Sequence, residues 1–150
     1  MSVEDTQREV AVDPSRPVQV VHDTTTVADA LRLVRRTGMR HLPVVSRGRC
    51  VGVLVDVDLV AAAVDGVAGG VGPLARRPVP TVALRADAPT AARAILAGGM
   101  DAALVVDDGV VVGIVTATDV VAALAERDRA SAAPTSGDPA NRDLPGDLRP

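Results

Sequence analysis

The chain is a duplication. A shift of 61 positions carries "GVLVDVDLVAA" (Gly52 to Ala62) onto "GIVTATDVVAA" (Gly113 to Ala123), and the match extends backwards without a gap. Arg16–Val18 meets Arg77–Val79, Gly38–Met39 meets Gly99–Met100, Gly48 meets Gly109 and Asp58 meets Asp119. In a sequence that is 47% hydrophobic, coincident Val and Ala mean little, whereas Pro, Gly, Met and Asp at one fixed offset mean a repeat. A copy of about fifty residues is small for a stable core of its own. Two copies that bury each other's apolar faces solve that problem, and a pseudo-two-fold axis is the expected relation between them.

Each copy predicts the same elements. A short, edge-like strand opens it, at Val18–Val21 in the first copy and at Val79–Val82 in the second, where Pro80 removes a ladder donor. A helix follows. Val27, Ala30, Leu31 and Val34 fall at i, i+3, i+4 and i+7 after a Thr/Asp-rich start, and Gly38 stops it. The second helix runs from Asp87 to Gly99 on the weaker stripe Ala91, Ala92 and Ile95. Two β-branched runs with a short Gly-containing loop then read as a hairpin, through Ser46–Arg49 and through Asp107–Gly109. A last helix starts near Asp58 or Asp119. The fold class is therefore α/β (α+β), with two β-α-β-β-α repeats. The expected organisation is a lead-in at 1–15, repeats at 16–64 and 77–126, a Gly-rich flexible joint at 65–76 with a brief helical turn at its end, and a disordered tail at 127–150, where the apolar pattern gives way to Pro, Ser, Asp and Arg.

Composition narrows the function. The net charge of −3 includes no basic block, and Phe, Tyr and Trp are absent, so neither phosphate-backbone binding nor base stacking on aromatic platforms is expected. No nucleic acid and no membrane partner are expected. The apolar runs are broken by Asp or Gly well short of a membrane span, and the first residues do not read as a signal peptide. Cys50 is the single cysteine, which suits an inert buried thiol and a reducing, cytoplasmic setting. His22, His41 and Cys50 are too scattered for a metal site. No nucleophile comes with a base and an orienting acid, so an enzyme is not expected.

The polar residues that interrupt the apolar pattern carry the chemistry. In Gly113-Ile114-Val115-Thr116-Ala117-Thr118-Asp119, hydroxyls and a carboxylate stand where a strand hands over to a helix. A fixed carboxylate accepts hydrogen bonds from both hydroxyls of a ribose, and bonds to a charged acceptor are the strong kind. The same Thr-x-x-Asp spacing also reads as a capping box, with the Asp bonding only its own backbone. The first copy keeps Asp58 and has Val55 and Val57 in place of the two threonines, leaving Asp56 to cap its helix. It carries instead Arg40–His41, cations that suit a phosphate, where the second copy has Asp101–Ala102. Arg40 read plainly is a solvated surface charge, and His41 a hydrogen-bonded structural histidine.

The two copies resemble cystathionine-β-synthase (CBS) domains, and the tandem resembles a CBS pair, or Bateman module. "TVADALRLVRRTGMRHLPVVSRGRCVGVLVDVDLV" and "GGMDAALVVDDGVVVGIVTATDVV" carry the resemblance, which covers about Arg16 to Glu126. It implies a cleft between the repeats for an adenosine-type ligand (AMP, ADP, ATP or S-adenosylmethionine, sometimes NAD or a cyclic dinucleotide), with Thr116, Thr118 and Asp119 at the ribose. Asp58 is the matching acid of the other copy, and Arg40 and His41 stand where the family places phosphate-facing groups. The pattern pairs Arg40 and His41 with an Asp58 cleft, and leaves an Asp119 cleft suited to a less anionic ligand. The resemblance also implies a homodimer, often a flat disc of four repeats, read by an unidentified protein partner. Two functions follow: a stand-alone ligand-sensing regulator, or a dimerisation and interaction scaffold that has lost ligand binding.

Overall fold

A computed structural model describes residues 10–12 and 18–132. The duplication reappears element by element. In the first copy β2 (Val21–His22), α1 (Val27–Thr37), β3 (His41–Ser46), β4 (Arg49–Val55) and α2 (Asp56–Val64) follow in order. The second copy gives β5 (Thr81–Ala83), α3 (Ala88–Gly98), β6 (Ala102–Asp107), β7 (Val110–Thr116) and α4 (Ala117–Ala132). Both β-α-β-β-α repeats are therefore present. The first helices are capped at matching positions. Thr26 accepts from the Asp29 backbone N–H and Asp87 from that of Thr90. They stop at Gly38 and Gly99, whose φ of 71° and 61° is the left-handed region a Cβ disfavours. Each hairpin turns through two residues of positive φ, Arg47–Gly48 and Asp108–Gly109, and each has a register shift, at Val44/Val45 and Val105/Val106.

One seven-stranded sheet runs in the order β2-β3-β4-β1-β7-β6-β5. The opening strands β2 and β5 sit at its two edges, as expected, one to three residues later than the sequence suggested. Thr81 is the first residue of β5 because Pro80 has no N–H to give; its carbonyl still accepts from Leu104 at 2.8 Å. The lead-in supplies β1 (Val10–Val12), antiparallel to β4 and parallel to β7, which joins the two halves.

Strand alternation sorts the core into three parts. Leu42, Val44 and Leu54 pack under α1 and α2 with Val27, Ala30, Leu59 and Ala62. The matching Ala103, Val105 and Val115 pack under α3 and α4 with Ala91, Ile95 and Val120. The residues in between, Cys50 and Val53 from one copy and Leu104, Val111 and Ile114 from the other, meet in a shared layer. Neither copy closes without the other, which is the reason for the pairing.

The Gly-rich joint is docked, not loose. Val71 is fully buried, its N–H donates to Thr25 O at 2.8 Å, and the Gly72 N–H donates to Asp23 O at 2.9 Å. A 3-10 turn at Gly72–Leu74 follows, the brief helical turn expected there. Ala75 and Arg76 then lie against β4 so closely that a Cβ on Gly52 would stand 2.7 Å from Ala75 Cβ. Helix α4 continues past Glu126 to Ala132, six residues into the segment read as tail. Apolar periodicity had ended there, but residues 127–132 hold no Gly or Pro to stop a helix. Residues 133–150, like most of 1–15, lie outside the described residues.

Candidate functional site

The strand-to-helix handover at Thr116 forms the capping box. The Thr116 N–H donates to Asp119 Oδ2 at 2.8 Å, and the Asp119 N–H donates to Thr116 Oγ1 at 3.3 Å. That bond uses one carboxylate oxygen; among the described residues Oδ1 has no hydrogen-bond partner. The same residues also form a wall of an open groove of about 630 Å³. Ile114, Thr116, Ala117, Thr118, Asp119 and Asp101 line it from the second copy, and Gly38, Met39, Arg40 and His41 from the first. The groove therefore lies between copies, and its size falls within the usual range for small-molecule sites.

Five of the six residues singled out from the sequence, Arg40, His41, Thr116, Thr118 and Asp119, meet in this groove. The partnership differs from the one read in the sequence. Arg40 and His41 face Asp119, not an Asp58 cleft, because the turn after α1 of one copy abuts the β7–α4 junction of the other. Asp101, which matches Arg40 in the second copy, lines the same groove, in keeping with the less anionic ligand expected at Asp119. Asp58 is absent from that lining and is engaged elsewhere. Arg76 Nε donates to its Oδ2 at 2.7 Å and Arg76 Nη2 to its Oδ1 at 3.0 Å. Sequence reasoning missed Arg76, which sits in the joint and matches no periodic or motif position.

The electrostatics are mixed. Arg40 is well exposed, and its Nε approaches Asp56 Oδ2 at 3.4 Å, a loose contact. Asp56 Oδ1 accepts from the Val57 N–H at 2.9 Å, but Asp56 is the first residue of α2 and not its cap; the N-cap position is Val55, which supplies no side-chain bond. Burial lowers the His41 pKa; Asp101 and Asp56 oppose the shift, and Arg40 and Arg76 add to it. His41 therefore enters the groove neutral at pH 7, able to donate from one ring nitrogen and accept at the other. The Arg76 hydrogen bond lowers the Asp58 pKa, burial opposes it, and the Arg76 charge adds to the lowering. Among the described residues no group of three or more His, Cys, Asp or Glu could hold a metal ion, and no helix is long and apolar enough to cross a membrane.

Comparison with known proteins agrees with this architecture. The sequence profile of the family described as CBS domain matches twice, at residues 8–65 and 71–126. A search of curated protein sequences found no match. Among solved structures, CBSX2 in complex with AMP is 29% identical, with a TM-score of 0.64 over 83% of this chain and 98% of that one. The CBS domain pair of protein MJ0100, in complex with 5′-methylthioadenosine and S-adenosyl-L-methionine, is 25% identical, with a TM-score of 0.62 over 72% of this chain and 92% of that one. A hemolysin-like protein containing a CBS domain, from Oenococcus oeni PSU, is also 25% identical, with a TM-score of 0.64 over 80% and 90%. With both halves matched in sequence and the paired fold reproduced, the chain belongs to the CBS domain family and carries two CBS domains in tandem.

Proposed function

We propose that the Asp119 groove binds an adenosine-type ligand and that the chain is a cytoplasmic regulatory module, not a catalyst. The observation that carries this reading is the meeting, in one inter-copy groove, of the Thr116 and Thr118 hydroxyls, the Asp119 carboxylate, Arg40 and His41. Asp119 Oδ1 accepts the ribose diol while Oδ2 keeps its bond to the Thr116 N–H, so capping and ligand binding use different atoms. The solved relatives bound to AMP and to S-adenosyl-L-methionine support this ligand class. Charge selects within it. Among the described residues Arg40 is the one cation lining the groove, and Asp101 and Asp119 line it too. The order of preference is therefore S-adenosylmethionine or adenosine before AMP, and ATP last.

A ligand spanning both copies alters their relative orientation only to the extent that it binds one arrangement better, and a protein partner reads that difference. The partner surface for self-association is apolar. Val57, Val60 and Val64 on α2 are exposed by 58%, 55% and 80%, and Val121 and Leu124 on α4 by 65% and 36%. Val60 and Val121 are duplicated positions, so each helix offers an apolar stripe that a second copy of the chain covers in a two-fold homodimer.

The competing reading, a scaffold without ligand, draws on the capping bonds of Asp119 and the Arg40–Asp56 contact. One experiment separates the two. The chain has no aromatic residue, so a band near 260 nm in nucleic-acid-free protein reports a bound adenine. Thermal unfolding followed by circular dichroism, with adenosine, S-adenosylmethionine, AMP and ATP in turn, should show stabilisation of about 2.7 kcal/mol at a hundredfold excess over Kd. Asp119→Asn keeps a capping acceptor and removes the charge; it should weaken binding at least tenfold. No stabilisation by any of the four would leave the scaffold.

A further inference from the structure

Asp58 and Asp119 hold equivalent places in the duplication, each near the start of the helix that ends its repeat, yet their surroundings are not equivalent. Both oxygens of Asp58 are taken by one guanidinium, in the forked geometry that binds a carboxylate most specifically. The arginine is delivered by its backbone. The Arg76 N–H donates to Val53 O at 2.9 Å, and the Val53 N–H donates to Arg76 O at 3.0 Å. Ala75, next to it, sits on Gly52 at a distance that excludes any side chain there. Arg76 is thus fixed at the root and reaches one target. A ribose at Asp58 would have to displace two charged bonds, and beside it would find Val55 and Val57 where the other copy has hydroxyls. One repeat earlier than Arg76 the sequence has Ser15, which carries no charge.

We propose that Arg76 is a built-in occupant of Asp58: the chain takes one adenosine-type ligand, at the Asp119 groove, and the Asp58–Arg76 pair is a latch that fastens the segment between the copies to the first copy. The one-ligand half of this rests on the reading of the Asp119 groove given above; the latch does not.

Isothermal titration of the full chain with S-adenosylmethionine, and separately with AMP, should give one ligand per chain, and Asp119→Asn should weaken that binding at least tenfold. Two ligands per chain, or one bound to Asp119→Asn with undiminished affinity, would overturn the proposal. The latch is tested without ligand, by urea unfolding of Asp58→Asn, Arg76→Gln and the double variant. Coupling predicts that the double variant loses no more than the larger single loss. Additive losses would mean that the pair contributes nothing and the latch falls. A chain that binds neither compound but shows the coupling would end the ligand reading and leave the latch standing, so the two failures are distinguishable.

Discussion

Asp58 and Asp119 show how one residue type, placed twice by duplication, takes two roles through its neighbours. Asp119 meets a backbone N–H and a groove; Asp58 meets a guanidinium. The second partnership has a pH signature. Asp58 has a folded-state pKa below its unfolded value, so the pair's contribution is present above the unfolded pKa and is lost as pH falls through the lowered folded one. Both side chains are partly exposed, at 31% and 45%, and solvent screening limits the contribution to about 1 kcal/mol or less. Urea unfolding at pH 7 should therefore find Asp58→Asn slightly less stable than the parent, and the gap should narrow as the pH falls below the ordinary Asp range. A gap of constant size across that range would show that the loss has another origin. Asp58 was legible in the sequence as a motif acid. Its partner was not, because nothing local ties an arginine to a carboxylate eighteen positions away.

At the scale of elements, local chemistry was decisive. Helix caps, left-handed stops and two-residue hairpins follow from short-range sequence, and each recurs at the same offset. The exception is the joint. Its glycines predict freedom, and its backbone is instead stitched to Asp23, Thr25 and Val53. Gly52 reports the cost of separating them. In Gly52→Ala the new Cβ would meet Ala75 Cβ at 2.7 Å and the Arg76 carbonyl at 2.9 Å, contacts that the backbone cannot relieve without moving. A loss of about 1–3 kcal/mol is expected in chemical unfolding, with faster amide exchange at Val53 and Arg76. Unchanged exchange at those two amides would show that the joint does not bear on β4.

For the whole molecule, the proposed homodimer rests on the apolar stripes on α2 and α4. Val60→Asp with Val121→Asp places a charge in each stripe and should convert a dimer into a monomer of unchanged helix content; light scattering with refractive-index detection suits a chain without aromatics. A parent chain that is already monomeric would end the homodimer proposal. The repeat, its period-2 and period-3.6 patterns and the motif acids were fixed by the sequence alone, because strand alternation, helix stripes and caps depend on residues within a few positions of each other. Which copy's cations face which copy's carboxylate was decided only by the tertiary structure. That pairing depends on how two apolar layers settle against each other, Cys50 and Val53 on Leu104 and Val111, and burial of apolar surface has no direction that a linear pattern records.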